Sequence, residues 1–269
     1  MNRLLAAASA LTVLAIASQA QAADLAARTA PVYTKAPEYV PVVNNWSGWY
    51  IGGNLGYGWG SDNNDFTFLP DPAGFGAPNT TLKSNTSGVI GGGQVGYNWQ
   101  IGTFLAGLEA DIQGSGVKGS SLLSPIPNLP TNEIPPGPDS SLSSSHQLSW
   151  FGTFRGRLGF TVTPSLLLYG TGGLAYGEVK NQANTIFSST DMYPASLSST
   201  RTGWTAGAGA EWMFAPGWSA KFEYLHLDLG TASATTGSTD VDIPAADKVH
   251  NVWHNQFDTV RVGVNYHFH

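Results

Sequence analysis

The chain has 269 residues, 18 Asp+Glu against 12 Lys+Arg, a net charge of −6 and no cysteine. Nucleic-acid binding needs clustered cations that this balance does not supply, and without cysteine there is neither a disulfide nor a lipid-modified cysteine anchor. Charged residues are 11% of the chain against about 25% in soluble domains, yet mean hydropathy is only −0.08 and a single long apolar run occurs, at the start, which excludes a bundle of membrane helices.

Arg3 is the only charge ahead of the apolar run over residues 4–17, and Ser18-Gln19-Ala20-Gln21-Ala22 follows. Small residues at Ala20 and Ala22 fit the A-x-A pattern of a signal peptidase, with Ala23 as the new N-terminus. The run is shorter than the roughly 18–20 apolar residues of a spanning helix, so residues 1–22 are expected to be a cleaved signal peptide. Residues 23–45 carry Pro31, Pro37 and Pro41 without a sustained period. They read as a flexible periplasmic leader.

Eight segments of period-two alternation follow. In residues 47–60, Trp49, Ile51, Leu55, Tyr57 and Trp59 share one face and Gly52, Asn54, Gly56 and Gly58 the other. Residues 87–100 set Val89, Val95, Tyr97 and Trp99 against Gln94 and Asn98. Residues 103–114 set Phe104, Ala106, Leu108, Ala110 and Ile112 against Glu109, Asp111 and Gln113. In residues 147–161, Leu148, Trp150, Phe154, Leu158 and Phe160 oppose Ser149, Thr153, Arg155 and Arg157. Residues 165–179 leave the phase open, because residues 166–169 are apolar throughout. Residues 202–214 place Trp204, Ala206, Ala208, Ala210 and Trp212 opposite Thr205 and Glu211. Residues 218–229 place Trp218, Ala220, Phe222 and Tyr224 opposite Lys221 and Glu223. Residues 256–268 place Val260, Val262, Val264, Tyr266 and Phe268 opposite Arg261, Asn265 and His267.

Connections alternate in length. Gln100-Ile101-Gly102-Thr103, Val162-Thr163-Pro164 and Ala215-Pro216-Gly217 are tight turns, whereas residues 61–86, 115–146, 180–201 and 230–255 are long and polar and read as loops. Short turns on one side and long loops on the other are the signature of a bacterial membrane barrel. The expected fold is therefore all-β: an eight-stranded antiparallel transmembrane β-barrel over residues 46–269, with both termini periplasmic. Aromatics at the ends of the apolar face, among them Trp49, Trp59, Trp99, Trp150, Trp204, Trp212, Trp218 and Phe257, are expected to form girdles. About ten tilted residues span roughly 25 Å between such girdles. A soluble barrel or sandwich would hide the apolar face and show its charges to water. Here the charges share a face with glycines, so Glu109, Asp111, Arg155, Arg157, Glu211, Lys221, Glu223 and Arg261 are expected inside. A lumen of eight strands is just wide enough to be filled by side chains. An ion-pair network that holds register and blocks a wide channel is expected, with a narrow solute path as the alternative.

Signals for other chemistry fail on context. Gly91, Gly93 and Gly96 match G-x-G-x-x-G but lie inside a strand rather than at a strand-to-helix turn, so no nucleotide is expected. His250 and His254 have metal-ligand spacing only on a helix, and their surroundings, with Asp240 and Asp242, read as a solvated loop. His226 falls on the lipid phase. His146 and Ser149 point to opposite faces by parity and make no catalytic pair. No enzyme and no cofactor is expected.

The sequence resembles the small opacity-type, porin-family outer-membrane surface antigens of alphaproteobacteria, the outer membrane immunogenic protein type. The residues that carry this are Asn45-Trp46-Ser47-Gly48-Trp49-Tyr50-Ile51-Gly52-Gly53-Asn54-Leu55-Gly56-Tyr57-Gly58, Gly91-Gly92-Gly93-Gln94-Val95-Gly96-Tyr97-Asn98-Trp99, Gly107-Leu108-Glu109-Ala110-Asp111-Ile112, Tyr169-Gly170-Thr171-Gly172-Gly173-Leu174-Ala175-Tyr176-Gly177 and Lys221-Phe222-Glu223-Tyr224. The last strand is similar to the family's assembly signal through Arg261, Gly263, Tyr266 and Phe268, departing from it in the extra His269. The resemblance implies periplasmic chaperones, insertion by the outer-membrane barrel assembly machinery, and contact with outer-membrane lipid and lipopolysaccharide. The functions in view are envelope integrity with surface display of loops, a small passive porin, or an adhesin or receptor whose loops meet a host, with the leader as a candidate cell-wall contact.

Overall fold

The computed structural model describes residues 45–69, 80–126, 140–187, 191–240 and 248–268. The expected signal peptide with its cleavage residues Ala20, Ala22 and Ala23, nearly all of the leader, Asp242 and the terminal His269 lie outside the described residues.

Eight strands follow in chain order: β1 (Gly48–Leu69), β2 (Thr80–Ile101), β3 (Phe104–Leu123), β4 (Ser141–Thr163), β5 (Leu166–Ile186), β6 (Met192–Ala215), β7 (Trp218–Gly237) and β8 (Lys248–His267). Each pairs antiparallel with its sequence neighbours, and β1 also pairs with β8, so the sheet closes as a barrel. Closure leaves no edge whose backbone groups would go unpaired in hydrocarbon. One end carries the tight turns. Gly102 and Gly217 take φ of 63° and 73° there, a left-handed conformation that costs glycine nothing.

At the other end the strands continue well past their expected limits, to lengths of 20 residues in β3 and 24 in β6. Much of each expected loop is strand: residues 61–69 and 80–86, 115–123 and 141–146, 180–186 and 192–201, and 230–237 and 248–255. Ser, Thr and Asn dominate these stretches and mask the period, while the ladder begun lower down simply propagates. His250 and His254 therefore sit on β8, not in a loop.

Polarity inverts along the strands. Nearer the turns the outer face is apolar, with Leu55, Val89 and Leu158 each more than 70% exposed. Beyond the upper aromatics the inner face is apolar instead, and Phe66, Leu82, Leu142, Tyr193, Val249 and Trp253 bury themselves in one cluster. Thr81, Lys83, Asn85, Gln147, Gln182 and Ser196 face outward there. The first arrangement suits a barrel in lipid and the second a barrel in water.

Bulges at the junction shift the phase of two strands. In β4 the register shifts between Leu148 and Trp150, and in β7 between Asp228 and Thr231, where Gly230 has φ of 71°. Leu148, expected on the outer face with Trp150 and Phe154, is buried inside because Ser149 is the inserted residue. Phe257, expected among the outward aromatics, also points inward and is 1% exposed. It shares odd parity with Arg261 on an unbroken stretch of β8, so it belongs to the inner face. The open phase of residues 166–169 resolves with Leu167 and Tyr169 inside.

Candidate functional site

The lumen is filled in layers. At the turn end Trp46, Leu105, Leu167, Tyr169 and Met213 form an apolar cluster. Trp46 lies just before β1 and is fully buried. Its indole Nε1 donates to the Pro164 carbonyl at 3.1 Å, and Gln100 Oε1 accepts from its amide at 2.9 Å. One residue, through its backbone amide and its indole, thus fastens the chain entrance to two turns.

Next comes the charge layer, and it draws together all eight residues that parity assigned to the interior. The register aligns Glu109 with Arg155, Glu211 with Lys221 and Glu223 with Arg261. Arg155 pairs with Glu109, with Asp111 at 2.9 Å and with Glu223 at 3.2 Å. Arg157 reaches Glu211 at 2.7 Å and Glu109 at 3.4 Å. Lys221 lies 3.1 Å from Glu109 and 3.8 Å from Glu223. Arg261 joins Asp111 at 3.0 Å and Glu223 at 2.6 Å. Four cations face four anions, and none has more than a trace of exposure. Such groups are tolerable without water only when each charge is met by opposite charge and hydrogen bonds.

Further polar neighbours complete the layer: Thr153 and Asn265, expected on the inner face, and Tyr50, Tyr169 and Ser219, which the sequence reading did not assign. Tyr50 donates to Glu109 at 2.7 Å and Tyr169 to Glu223 at 2.8 Å. The Arg157 guanidinium stacks 3.9 Å from the Tyr169 ring. Thr153 donates to Asp111, and Ser219 and Asn265 to Glu211. The available signal was parity: Tyr50 and Tyr169 alternate with outward residues, but as aromatics they blend into the apolar pattern. Space for them comes from glycine. A side chain at Gly96 would collide with the Tyr50 hydroxyl, and one at Gly209 with that of Tyr169. Gly96 therefore serves packing inside β2, and the G-x-G-x-x-G run has no phosphate-binding turn.

Ser219, His267 and Glu211 also meet in this layer. Ser219 Oγ and Glu211 Oε1 approach the same imidazole atom, Nε2, at 3.0 and 3.3 Å. A nucleophile-base-acid relay needs the acid on Nδ1, so this trio has the wrong geometry for one. Trp46 packs edge-on against that imidazole, with ring centroids 5.5 Å apart.

Above the charges a second apolar layer (Ile90, Val117, Leu148, Phe151, Leu225 and Phe257 among its members) crosses the lumen. A neutral polar layer follows, in which Asn64 donates to Ser144 at 3.1 Å and Asn181 to Asn255 at 3.3 Å. His146 belongs to it, and Ser149 is the bulged residue below, so the two are not a pair. The cluster around Trp253 roofs the barrel.

On the outer face Trp49, Trp59, Trp99, Trp204, Trp212 and Trp218 are exposed and Trp150 is partly so. His226 stands at the upper margin, paired with Asp258 at 2.9 Å and packed on Trp204 at 5.4 Å between centroids. His250 bonds Thr235 and His254 the Asn63 carbonyl, so these two do not converge. Among the described residues no group of three or more His, Asp or Glu is placed to hold a metal. Arg261 and Gly263 face the lumen, Tyr266 and Phe268 the outside.

The chain is similar to known outer-membrane proteins. The 31 kDa outer-membrane immunogenic protein of Brucella melitensis is 37% identical over 255 residues, covering 94% of this chain and 95% of its own. The 22 kDa outer membrane protein of Rhizobium leguminosarum bv. viciae is 33% identical over 195 residues, 70% of this chain and 67% of its own. Among solved structures, the outer membrane protein OprG of Pseudomonas aeruginosa shares the fold with a TM-score of 0.50 at 12% identity, covering 84% of this chain and 98% of that one. Residues 6–268 match the family described as outer membrane protein beta-barrel domain. With an outward apolar band, a closed ring of eight strands and that match over nearly its whole length, the chain belongs to the outer membrane β-barrel protein family.

Proposed function

We propose that this protein is a closed structural barrel of the outer membrane that supports envelope integrity and displays its extended rim at the cell surface, with no catalytic role. The supporting observation is the filled lumen: a charge layer of four ion-paired cations and four anions lies between two apolar layers. A permeating solute would have to break several buried ion pairs at once. Removing one partner of such a pair costs about 3–5 kcal/mol, far above thermal energy.

The same reading puts the turn end, where β1 begins and β8 ends, in the periplasm and the long-strand end outside. The polar outer face of the strand extensions supports this, since it suits water. The relatives' name, outer-membrane immunogenic protein, fits exposure of that rim. The apolar band meets acyl chains, its tryptophans take the two interfaces, and lipopolysaccharide borders the upper one. Periplasmic chaperones and the barrel assembly machinery deliver the chain, the latter reading Arg261, Gly263, Tyr266 and Phe268. Cleavage at Ala20-Gln21-Ala22 before Ala23 precedes this. Host contacts fall to the rim and cell-wall contacts to the leader.

Planar-bilayer recording on the purified monomer tests the central claim. No steady unit conductance is expected; a reproducible ordered step would establish the passive pore instead. In cells, deletion should raise detergent sensitivity without altering uptake of small solutes.

A further inference from the structure

We infer that the wall formed by β3, β4 and β5 carries a docking site for the phosphorylated headgroup of an outer-leaflet glycolipid, held by Lys118 and Lys180. The site rests on the outward orientation proposed above for the long-strand end. Direct register pairing sets Lys118 opposite Gln147 and Gln147 opposite Lys180, all three exposed on the outer face. Two inter-strand spacings separate the lysines, about 10 Å. Two ammonium groups thus flank a neutral amide donor on one row.

That row stands immediately beyond the upper aromatics of the same wall. Trp150 follows Gln147 across the Ser149 bulge, and its ring packs against Tyr176 with centroids 6.0 Å apart. Aromatic side chains of this kind mark the level of lipid headgroups. Below the row the wall offers an apolar track, with Ile112, Phe154 and Leu174 exposed. Directly under Lys118, the outward positions of β3 are Gly116 and Gly114, which leave the wall bare between row and track. Cations above hydrocarbon match a phosphate joined to acyl chains better than either part alone.

Charge is distributed unevenly around the ring. Among the described residues Glu178 is the outward anion on this wall, 3.8 Å from Lys180, with both side chains substantially exposed. The opposite wall shows Asp258 with His226, and Asp228 accepting from Gln256. Lys83 and Lys248 are exposed elsewhere on the ring but lie apart in register, opposite Asn63 and Leu69 of β1, whereas Lys118 and Lys180 share one row. Lysine serves phosphate as a compact point charge and needs no fixed fork geometry.

The test uses the full mature chain in detergent, titrated with bis-phosphorylated lipid A, with the same lipid after enzymatic dephosphorylation, and with inorganic phosphate, read by native mass spectrometry. Wild type should prefer the phosphorylated lipid. The double variant K118Q/K180Q should weaken that binding by about 10- to 30-fold, since each near-surface lysine contributes on the order of 1 kcal/mol. The pair K83Q/K248Q, removing equal charge elsewhere, should bind as wild type, as should the charge-preserving K118R/K180R. Equal loss in both glutamine pairs, equal affinity for the two lipids, or displacement of lipid by equimolar phosphate would each overturn the site. Heat-shifted migration on gels checks that every variant is folded. Labelling of S145C on intact cells by an impermeant maleimide separates the two readings: no labelling would overturn the outward orientation while leaving the binding result standing.

Discussion

Glu109 is contacted in the interior by Tyr50, Arg155, Arg157 and Lys221. Replacing it with glutamine leaves buried cations under-compensated, which costs about 3–5 kcal/mol. Denaturant unfolding of Glu109→Gln in detergent micelles should show that loss, and an unchanged midpoint would mean that the network contributes little. Removing charge in a balanced way should be far milder, because a buried pair's attraction is largely cancelled by its desolvation. The double variant Glu211→Gln with Arg157→Met, which removes both partners of the 2.7 Å pair, tests this through the same unfolding curves. Gly96 gives a steric counterpart. A valine there meets Tyr50, so Gly96→Val is expected to reduce the heat-modifiable fraction on gels, and Tyr50→Phe added to it should restore little, because the ring carbon carrying the hydroxyl is also in the way.

Elements obey parity, and parity depends on bulges. Within the outward apolar band the alternation was legible residue by residue: Trp49, Ile51 and Leu55 outside against Asn54 inside, or Val262 and Val264 against Arg261. It was not legible at Ser149, because a bulge inserts one residue with no distinctive chemistry and every later position changes face. Cysteine scanning reads this out. With the bulge intact, Q147C should react with a water-soluble maleimide and L148C should not. Deleting Ser149 should exchange the two reactivities or abolish folding, whereas an unchanged pattern would contradict the bulge. The strand extensions were missed for a related reason. Phe66, Leu82, Leu142 and Trp253 do alternate with polar residues, but inward, with the opposite sign to the band below. A period sought with one sign of polarity finds only half of each strand.

For the whole molecule, a closed ladder and a sealed interior imply high kinetic stability in detergent, since no strand can leave without breaking two neighbours' pairing. An unheated sample should migrate differently from a boiled one on a denaturing gel, with identical migration contradicting a folded barrel. Salt should have little effect on unfolding, because the lumenal pairs are shielded from the ions that screen exposed ones. A strong shift of the midpoint between low and molar salt would place those charges in water instead.

The sequence by itself determined the fold class, the strand count, the three turns and the membership of the charge layer. Each follows from local rules: side chains alternate across a strand, and lipid forbids charge on the face it touches. Tertiary structure alone decided which charges pair, because Arg155 meets Glu223 and Arg261 meets Asp111 across the lumen, between strands that are not neighbours. It also decided how far the strands run and where Trp46, Leu148 and Phe257 point. Those outcomes depend on ring closure and on the bulges, which bring distant residues into one narrow interior that no local pattern describes.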